Sequence, residues 1–231
     1  SEYREMINTY NISNENIIVT ATEASRVVNN SKNFFSRIKK DLSFDIQLIS
    51  PEGEAYYTSL GAQSNLPNEI TECLILDIGG ASTEIIDIEI NPFSIKNFIS
   101  IPFGSVRATD WRNDGVFDQN MEQSFSSFKM EIYIGKKMIG VAGTVTSLAM
   151  MLSGEQIFEA SRINDTTINK GELVRLIDEI KDMSHLSLQK SFPFLGKRVS
   201  TIQGGAYVLL KLFNRLKIDE LIVSTYGLRY G

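Results

Sequence analysis

The sequence has very few of the residues that form disulfides or bind zinc. It contains one cysteine, Cys73, and one histidine, His185. A single cysteine excludes an internal disulfide, and one cysteine with one histidine cannot supply a structural zinc site. No apolar run approaches the length of a bilayer span, and the first residues lack the pattern of a signal peptide. We therefore expect a cytoplasmic protein with no membrane partner.

The sequence also lacks an excess of positive charge, since its formal net charge is −5. Broad nucleic-acid binding usually requires a basic domain, so we expect no nucleic acid as a partner. A polyanionic substrate is still compatible with this charge, because a divalent cation and a few local basic groups can neutralise it. The candidate groups are the basic pairs Lys39–Lys40, Lys136–Lys137 and Lys197–Arg198, although such pairs more often belong to a solvated surface. The length of 231 residues and the hydrophobic content of 42% suffice for one large domain or two modest ones.

The most informative segment is an apolar run, residues 74–78, that ends in a glycine turn with hydroxyl residues. Its flanks are β-branched, and the residues after it alternate, which predicts a strand, a tight turn and a returning strand. Glycines let backbone N–H groups approach a phosphate closely, and serine or threonine adds hydroxyl donors. We therefore predict phosphate binding by Gly79, Gly80, Ser82 and Thr83.

Two carboxylates, Asp77 and Glu84, stand at the mouth of this turn. Their hard oxygen atoms suit Mg²⁺ better than zinc or copper, so both are candidate metal ligands. An ordinary hairpin with solvated acids is the alternative at this point.

A second segment, residues 138–146, is again a short apolar strand followed by a glycine turn, with Gly143 and Thr144. Here the turn opens a helix, whose first N–H groups and positive dipole end favour an anion. Two such turns can bind a phosphate chain from two sides. Two unrelated strand exits are the alternative.

Helical and strand patterns alternate along the chain, which predicts an α/β fold. Ser50 and Pro51 predict the start of a helix that runs to Gly61. Residues 110–114 predict a polar loop around Trp111. Residues 199–216 predict a long helix whose Gly204 and Gly205 permit close packing or the approach of a ligand.

These motifs resemble, in the same order, those of the exopolyphosphatase and guanosine pentaphosphate phosphohydrolase (Ppx/GppA) family of the actin-like superfamily. The four matching blocks are residues 20–26, 49–55, 77–84 and 142–144, and the C-terminal residues 218–231 add support. The resemblance covers most of the chain. It implies actin-like (ribonuclease H-like) lobes with mixed sheets flanked by helices. Residues 1–66 would be a remnant of the first lobe and residues 67–231 the second.

The resemblance also implies hydrolysis of a terminal phosphoanhydride with Mg²⁺ as cofactor, on inorganic polyphosphate or guanosine pentaphosphate as substrate. Carried over by position, Glu54 is the catalytic acid that activates water, and Arg26 is a charge-assisted donor to the phosphates. Asp77 and Glu84 organise the metal. Phosphoryl transfer depends mainly on an aligned nucleophile and neutralised phosphate oxygens, which these residue types supply.

The sequence departs from the family pattern at several places. The family's first Asp-x-Gly-Ser-Asn loop has no counterpart before Ser1, so we expect an internal piece, and Gly53 replaces a common glutamate. These departures leave open a non-catalytic protein that binds guanosine polyphosphates or a regulatory partner. A kinase-like or ATPase member of the superfamily would need an adenosine pocket, for which the sequence has no recognisable feature. A homodimer is also left open.

Overall fold

The computed structural model describes residues 2–22, 25–26, 28–67 and 69–231. Glu23 and Ala24, which belong to the predicted block of residues 20–26, lie outside the described residues. The chain forms two compact units, residues 1–54 and residues 55–231. The assignment of residues 1–66 and 67–231 to two actin-like lobes stays a prediction.

The elements of both units alternate along the chain, as the sequence predicts. The strands are β1 (Val19–Ala21), β2 (Ile46–Leu48), β3 (Glu72–Ile78), β4 (Thr83–Glu89), β5 (Ser94–Ile101), β6 (Met138–Val141), β7 (Thr167–Asn169) and β8 (Glu220–Val223). The α-helices are α1 (Glu2–Thr9), α2 (Ser31–Leu42), α3 (Pro51–Gln63), α4 (Ser105–Asn113), α5 (Phe117–Ser126), α6 (Ala142–Ser153), α7 (Ala160–Ile163), α8 (Lys170–Ile180), α9 (His185–Ser191) and α10 (Ile202–Leu216). A 3₁₀ segment, Pro193–Ser200, precedes α10.

The first unit is small and has little interior. Strands β1 and β2 pair in parallel as a two-stranded sheet. Among the described residues before Ala55, Phe44 is the one buried apolar side chain, with 8% of its surface exposed. Helix α3 begins at Pro51 as predicted, because the N–H of Gly53 donates to Oγ of Ser50 at 3.1 Å.

The second unit is built on a six-stranded mixed sheet with the order β5-β4-β3-β6-β8-β7. Strands β3, β4 and β5 form an antiparallel meander, whereas β3, β6 and β8 are parallel to one another. Strand β7 closes the other edge antiparallel to β8. Helices connect the parallel strands, which is the connection that a parallel pair requires.

Successive side chains of β3 and β4 point to opposite faces of the sheet, and each face has its own hydrophobic cluster. Leu74, Leu76 and Ile85 belong to the larger cluster, which includes buried residues of α5, α6 and α10. Ile75 and Ile86 belong to a smaller cluster with residues of α3. Both faces are therefore covered, which explains why β3 and β4 read as nearly continuous apolar runs.

The predicted loop at residues 110–114 is wrong, since residues up to Asn113 complete helix α4. The indole ring of Trp111 packs edge-on against Phe103, with 6.1 Å between the ring centroids, and Ala108 is fully buried. Helix α4 also packs closely on α10 through Gly204. Tertiary packing therefore stabilises a helix whose polar sequence predicts none.

One carboxylate is buried within the larger core. The side chain of Asp87 is 3% exposed, and its Oδ2 lies 2.6 Å from Nζ of Lys136. Among the described residues, the other carboxylate oxygen, Oδ1, has no hydrogen-bond partner. Burial and the nearby Asp87 raise the pKa of Tyr133, so the phenol stays protonated beside this carboxylate.

No helix in the described part of the chain has both the length and the apolar character needed to cross a bilayer.

Candidate active site

The two glycine turns lie side by side because the strands that lead into them are parallel neighbours. Asp77 of β3 is in register with Val141 of β6, so both strands end at the same edge of the sheet. A cavity of about 300 Å³ opens between the turns. Its lining consists of glycine turns, helix starts and one arginine: Ile78, Gly79, Gly80, Ser105, Val106, Ala142, Gly143, Thr144, Arg198, Thr201 and Ile202.

Hydrogen bonds hold the two turns in place. The N–H of Gly79 donates to the carbonyl of Ser82 at 3.0 Å, which closes the first turn. Oγ1 of Thr144, in the second turn, donates to the carbonyl of Ile78 at 2.7 Å. The hydroxyl of Thr144 therefore ties the turns together, and the cavity between them is preformed.

Three helices begin at this cavity, namely α4, α6 and α10. The first N–H groups of α4 are already used, because Ser105 and Val106 donate to the carbonyls of Gly79 and Gly80 at 2.9 and 3.0 Å. Helix α6 begins directly in the second glycine turn, and the first turn of a helix offers N–H groups that have no acceptor within the helix. The positive ends of all three helix dipoles favour a bound anion.

The backbone is strained where α6 begins. Ala142 has a φ of +64°, which is in the left-handed region that residues with a Cβ rarely adopt. Such conformations cost roughly 1–3 kcal/mol and concentrate at ligand-binding sites. The strain redirects the chain at the point where the N–H groups of α6 enter the cavity.

The predicted hydroxyl residues of the first turn are placed differently from its glycines. Thr83 is fully buried, and its Oγ1 donates to the carbonyl of Phe103 at 2.8 Å. Ser82 is 5% exposed, and neither residue lines the cavity. The hydroxyl of Thr83 therefore fixes the chain leading to α4.

The predicted metal ligands Asp77 and Glu84 are direct partners across the antiparallel pair β3–β4. Directly opposite residues project from the same face with Cβ atoms about 4.5–5.5 Å apart, so the two carboxylates are neighbours. Glu84 is 5% exposed, and Oγ of Ser100 on β5 donates to its Oε1 at 2.7 Å. Both acids lie at the edge from which the glycine turns leave.

This pair of acids fits a magnesium-type ion. Mg²⁺ is commonly held by one or two carboxylates and keeps several waters or phosphate oxygens. The described residues contain no group of three or more histidine, cysteine, aspartate or glutamate residues that could enclose a metal. An ion at Asp77 and Glu84 would therefore take its remaining ligands from water or from phosphate.

The two predicted site residues of the first unit, Arg26 and Glu54, form an ion pair. Nη2 of Arg26 lies 3.0 Å from Oε2 of Glu54, and the side chains are only 18% and 12% exposed. Nη1 of Arg26 also donates to the carbonyl of Ile49 at 2.6 Å. The guanidinium is thus held on two sides, and it fixes the orientation of the carboxylate.

Arg198 lines the cavity, although the sequence offered it only as half of a candidate basic pair. A Cβ atom built on Gly143 would lie 2.3 Å from Nη2 of Arg198, so the guanidinium packs directly on the second glycine turn. The only signal was the pair Lys197 and Arg198, which is typical of a solvated surface. Another candidate cation, Lys136, is instead used in the buried ion pair with Asp87.

Comparisons with known proteins place the chain among phosphatases. It is 28% identical to a bifunctional 3-dehydroquinate synthase/phosphatase of Fusobacterium nucleatum, over 96% of this chain and 35% of that protein. It is 23% identical to exopolyphosphatase 2 of Mycobacterium tuberculosis, over 100% of this chain and 77% of the relative. It is 26% identical to a guanosine-5'-triphosphate,3'-diphosphate pyrophosphatase of Pseudoalteromonas atlantica, over 95% of this chain and 44% of that relative.

The chain therefore spans between about a third and three quarters of the length of these curated relatives. The fold is similar to that of a solved structure of the Aquifex aeolicus PPX-GPPA enzyme, with a TM-score of 0.78 and 26% identity. That match covers 99% of this chain and 77% of the other. The α/β fold with a mixed sheet and flanking helices is thus the actin-like fold of these proteins. A model of the Ppx/GppA phosphatase family matches residues 1–231, and the chain belongs to this family.

Proposed function

We propose that the protein is a Mg²⁺-dependent phosphohydrolase that cleaves the terminal phosphoanhydride bond of inorganic polyphosphate, of guanosine pentaphosphate, or of both. The observation that carries this proposal is the cavity between the two glycine turns, where three helices begin. Relatives named as an exopolyphosphatase and as a guanosine-5'-triphosphate,3'-diphosphate pyrophosphatase support the two substrates.

In this proposal the substrate phosphates lie against the glycine turns of the second unit. The N–H groups at the start of α6 and the helix dipoles stabilise the negative oxygens without rearranging during the reaction. The residues assigned to phosphate binding are Gly79, Gly80, Ser82, Thr83, Gly143, Thr144 and Arg26. Ser82 and Thr83 act by holding the first turn, since Thr83 already donates to the carbonyl of Phe103.

Asp77 and Glu84 would hold Mg²⁺ through their neighbouring carboxylates. The ion would neutralise phosphate oxygens as charge develops on the leaving group. Glu54 is assigned as the general base that takes a proton from the attacking water. Its ion pair with Arg26 orients the carboxylate for this step.

A phosphate-release assay with Glu54→Gln tests the proposal, and Glu52→Gln on the same helical turn is the matched control. Glu52 is exposed and lies outside the proposed machinery. We expect Glu54→Gln to lower kcat about 10²- to 10⁴-fold, the usual effect of losing a general base, and EDTA to abolish release from the wild type. Undiminished release by Glu54→Gln would remove this residue from its assigned role.

A second candidate function is binding of guanosine polyphosphate without catalysis. The altered acid cluster favours it, because Gly53 stands beside Glu54 where the family commonly has a second glutamate. Calorimetry with Mg²⁺ and the nucleotide separates the two functions when it is combined with the release assay. Binding heat without phosphate release would support this candidate, and release above the Glu54→Gln background would exclude it.

A further inference from the structure

Arg198 belongs to a segment that connects two helices of the second unit. This segment, residues 181–201, runs from the end of α8 to the start of α10 and contains α9 and the 3₁₀ segment Pro193–Ser200. Among the described residues, the guanidinium of Arg198 forms neither an ion pair nor a hydrogen bond. Its place on the second glycine turn therefore depends on how the backbone of this segment is held.

One side chain joins the two ends of this segment. Gln203, in the first turn of α10, donates from Nε2 to the carbonyls of Ile180 and Met183 at 2.5 and 3.1 Å. The carbonyl oxygen of Lys181 lies 3.4 Å from the same nitrogen. Carbonyls at the end of a helix have no donor within the helix, and they only accept, so the amide nitrogen of Gln203 is the group that suits them. The amide thus closes the loop that carries Arg198, by joining residues 20 to 23 positions apart.

Packing fixes the start of α10 on its other sides. Ile202 is 1% exposed and lines the cavity between the glycine turns. Gly204 packs on the backbone of α4, and a Cβ atom on Gly205 would overlap Cγ2 of Thr144 in the second glycine turn. Because successive residues of a helix point about 100° apart, these contacts lie in different directions around the helix axis. Gln203 points in a further direction, toward the end of α8, and there its side chain anchors α10 by hydrogen bonds.

We propose that Gln203 is a positioning residue for phosphate binding, which acts by holding Arg198 over the second glycine turn. A guanidinium that is already in place binds an anion more tightly, because less loop and side-chain freedom is lost on binding. Without the amide, the ends of the loop are no longer joined, and the segment reaches arrangements in which Arg198 misses the phosphates. This inference rests on the proposed function, because the phosphates must occupy the cavity between the glycine turns.

A double-mutant cycle, measured by calorimetry with inorganic tripolyphosphate and Mg²⁺, tests this inference. Gln203→Met keeps the length and the helix propensity of the side chain but removes the donor, and Arg198→Gln removes the guanidinium. When Arg198 is present, we expect Gln203→Met to weaken binding about tenfold. In the Arg198→Gln protein the same change should alter the affinity less than about twofold, because the effects of two residues that act through one another do not add.

Two further variants separate the hydrogen bonds from general effects of the substitution. Gln123→Met makes the same change at an exposed glutamine of α5 and should leave the affinity unchanged. Gln203→Lys restores donor hydrogens at the end of a long side chain, and we expect its affinity to lie within about threefold of the wild type. Urea unfolding of each variant shows that the protein compared by calorimetry is folded.

Several outcomes would overturn the inference. Unchanged affinity in Gln203→Met, with phosphate release by the wild type intact, would exclude a positioning role and leave the proposed function standing. An equal loss of affinity with and without Arg198 would show that Gln203 supports the structure in general and does not act through the arginine. A wild-type protein that neither binds tripolyphosphate nor releases phosphate would overturn the proposed function together with this inference.

Discussion

At Gly143 the absence of a side chain leaves space for the guanidinium of Arg198. A Cβ atom there would lie within 2.3–2.6 Å of three guanidinium atoms, which is closer than non-bonded atoms approach. The guanidinium is the far end of a flexible side chain, so it can move away at little cost to folding. Its position over the second glycine turn would then be lost.

We therefore expect Gly143→Ala to weaken binding of tripolyphosphate with little change in stability. A charge-assisted hydrogen bond contributes about 1.5–3 kcal/mol, which corresponds to roughly a tenfold to hundredfold loss of affinity. The measurements are calorimetry and thermal unfolding. Gly171→Ala on α8 is the control, because a Cβ there meets no atom within 4 Å. Unchanged affinity in Gly143→Ala would show that the position of Arg198 is unimportant.

Cys73 shows how burial suppresses the reactivity of a residue. It is 1% exposed in the smaller hydrophobic cluster, and desolvation, with a smaller effect of Asp87, raises the pKa of its thiol to about 12. The thiolate is the reactive form, and it is nearly absent in the folded protein at pH 8.

We expect iodoacetamide to leave Cys73 unmodified in the folded protein at pH 8 and to modify it fully in concentrated urea. The thiol of Cys73 loses its proton near pH 9 in the unfolded chain but only near pH 12 in the folded protein. The free energy of unfolding therefore falls as the pH rises above 9, because deprotonation favours the unfolded chain. Mass spectrometry gives the labelled fraction. Rapid labelling of the native protein would contradict the burial of this thiol.

Residues of the candidate site could be identified from the sequence where they belong to a local motif. Gly79, Gly80, Gly143 and Thr144 fall into this class, and the structure brings them around one cavity. Arg198 does not, because its position over Gly143 depends on a contact between residues 55 positions apart, which no local pattern specifies.

At the scale of elements, the contact between α4 and α10 depends on Gly204. A Cβ atom at this position would lie 2.6 Å from the carbonyl oxygen of Ser105 and 2.7 Å from the N atom of Thr109. Both are backbone atoms of α4, so a side chain can be accommodated only if the two helices move apart. The sequence left open whether Gly204 serves packing or ligand approach, and the structure supports packing.

Gly204→Ala should therefore destabilise the protein by about 1–3 kcal/mol, the usual cost of overpacking a core. Urea unfolding measures this loss, and Gly171→Ala is again the control. The control should be neutral or up to about 1 kcal/mol more stable, since alanine is the better helix former. Equal stability of the two variants would mean that α4 and α10 can separate freely.

Helix α4 also shows why some elements could not be predicted. Its residues 110–113 are polar and carry no apolar periodicity, yet Trp111 packs on Phe103 and the helix packs on Gly204 of α10. Strands β3 and β4, by contrast, were predictable because each is a long apolar run that ends in a glycine turn or begins after one. The β-propensity of such runs is enough to predict a strand, whereas helix α4 is stabilised by tertiary contacts that the local sequence does not reveal.

At the scale of the whole molecule, the two units differ sharply in how much apolar surface they bury. In the first unit, Phe44 is the one buried apolar residue among those described, whereas the second unit has two hydrophobic clusters. A segment with so little core opens locally at a small cost in free energy.

Hydrogen exchange should reveal this difference. We expect amides of residues 31–48 to exchange at least about a hundredfold faster than those of residues 72–89, relative to the rates of the unfolded chain. Mass spectrometry of peptides from both segments measures the exchange, and a urea-unfolded sample provides the reference rates. Equal protection of the two segments would contradict a weakly packed first unit.

The α/β class followed from the alternation of elements, and the actin-like fold followed from the order of the motifs. The assignment of residues 1–66 and 67–231 to two lobes stays a prediction, and the two compact units of the structure meet between Glu54 and Ala55, within helix α3. A sequence pattern locates a helix by its cap, such as Ser50, but does not indicate which neighbours each turn of that helix contacts.

The ion pair of Asp87 and Lys136 has a practical consequence for anyone who labels this protein. The side chain of Lys136 is 30% exposed, so acetic anhydride or an N-hydroxysuccinimide ester can reach it. Acylation would remove the positive charge and leave the aspartate buried without its counterion, a loss that typically costs 3–5 kcal/mol. Amine-reactive dyes and cross-linkers would therefore destabilise the protein. Maleimide labelling of an introduced surface cysteine avoids this loss of stability.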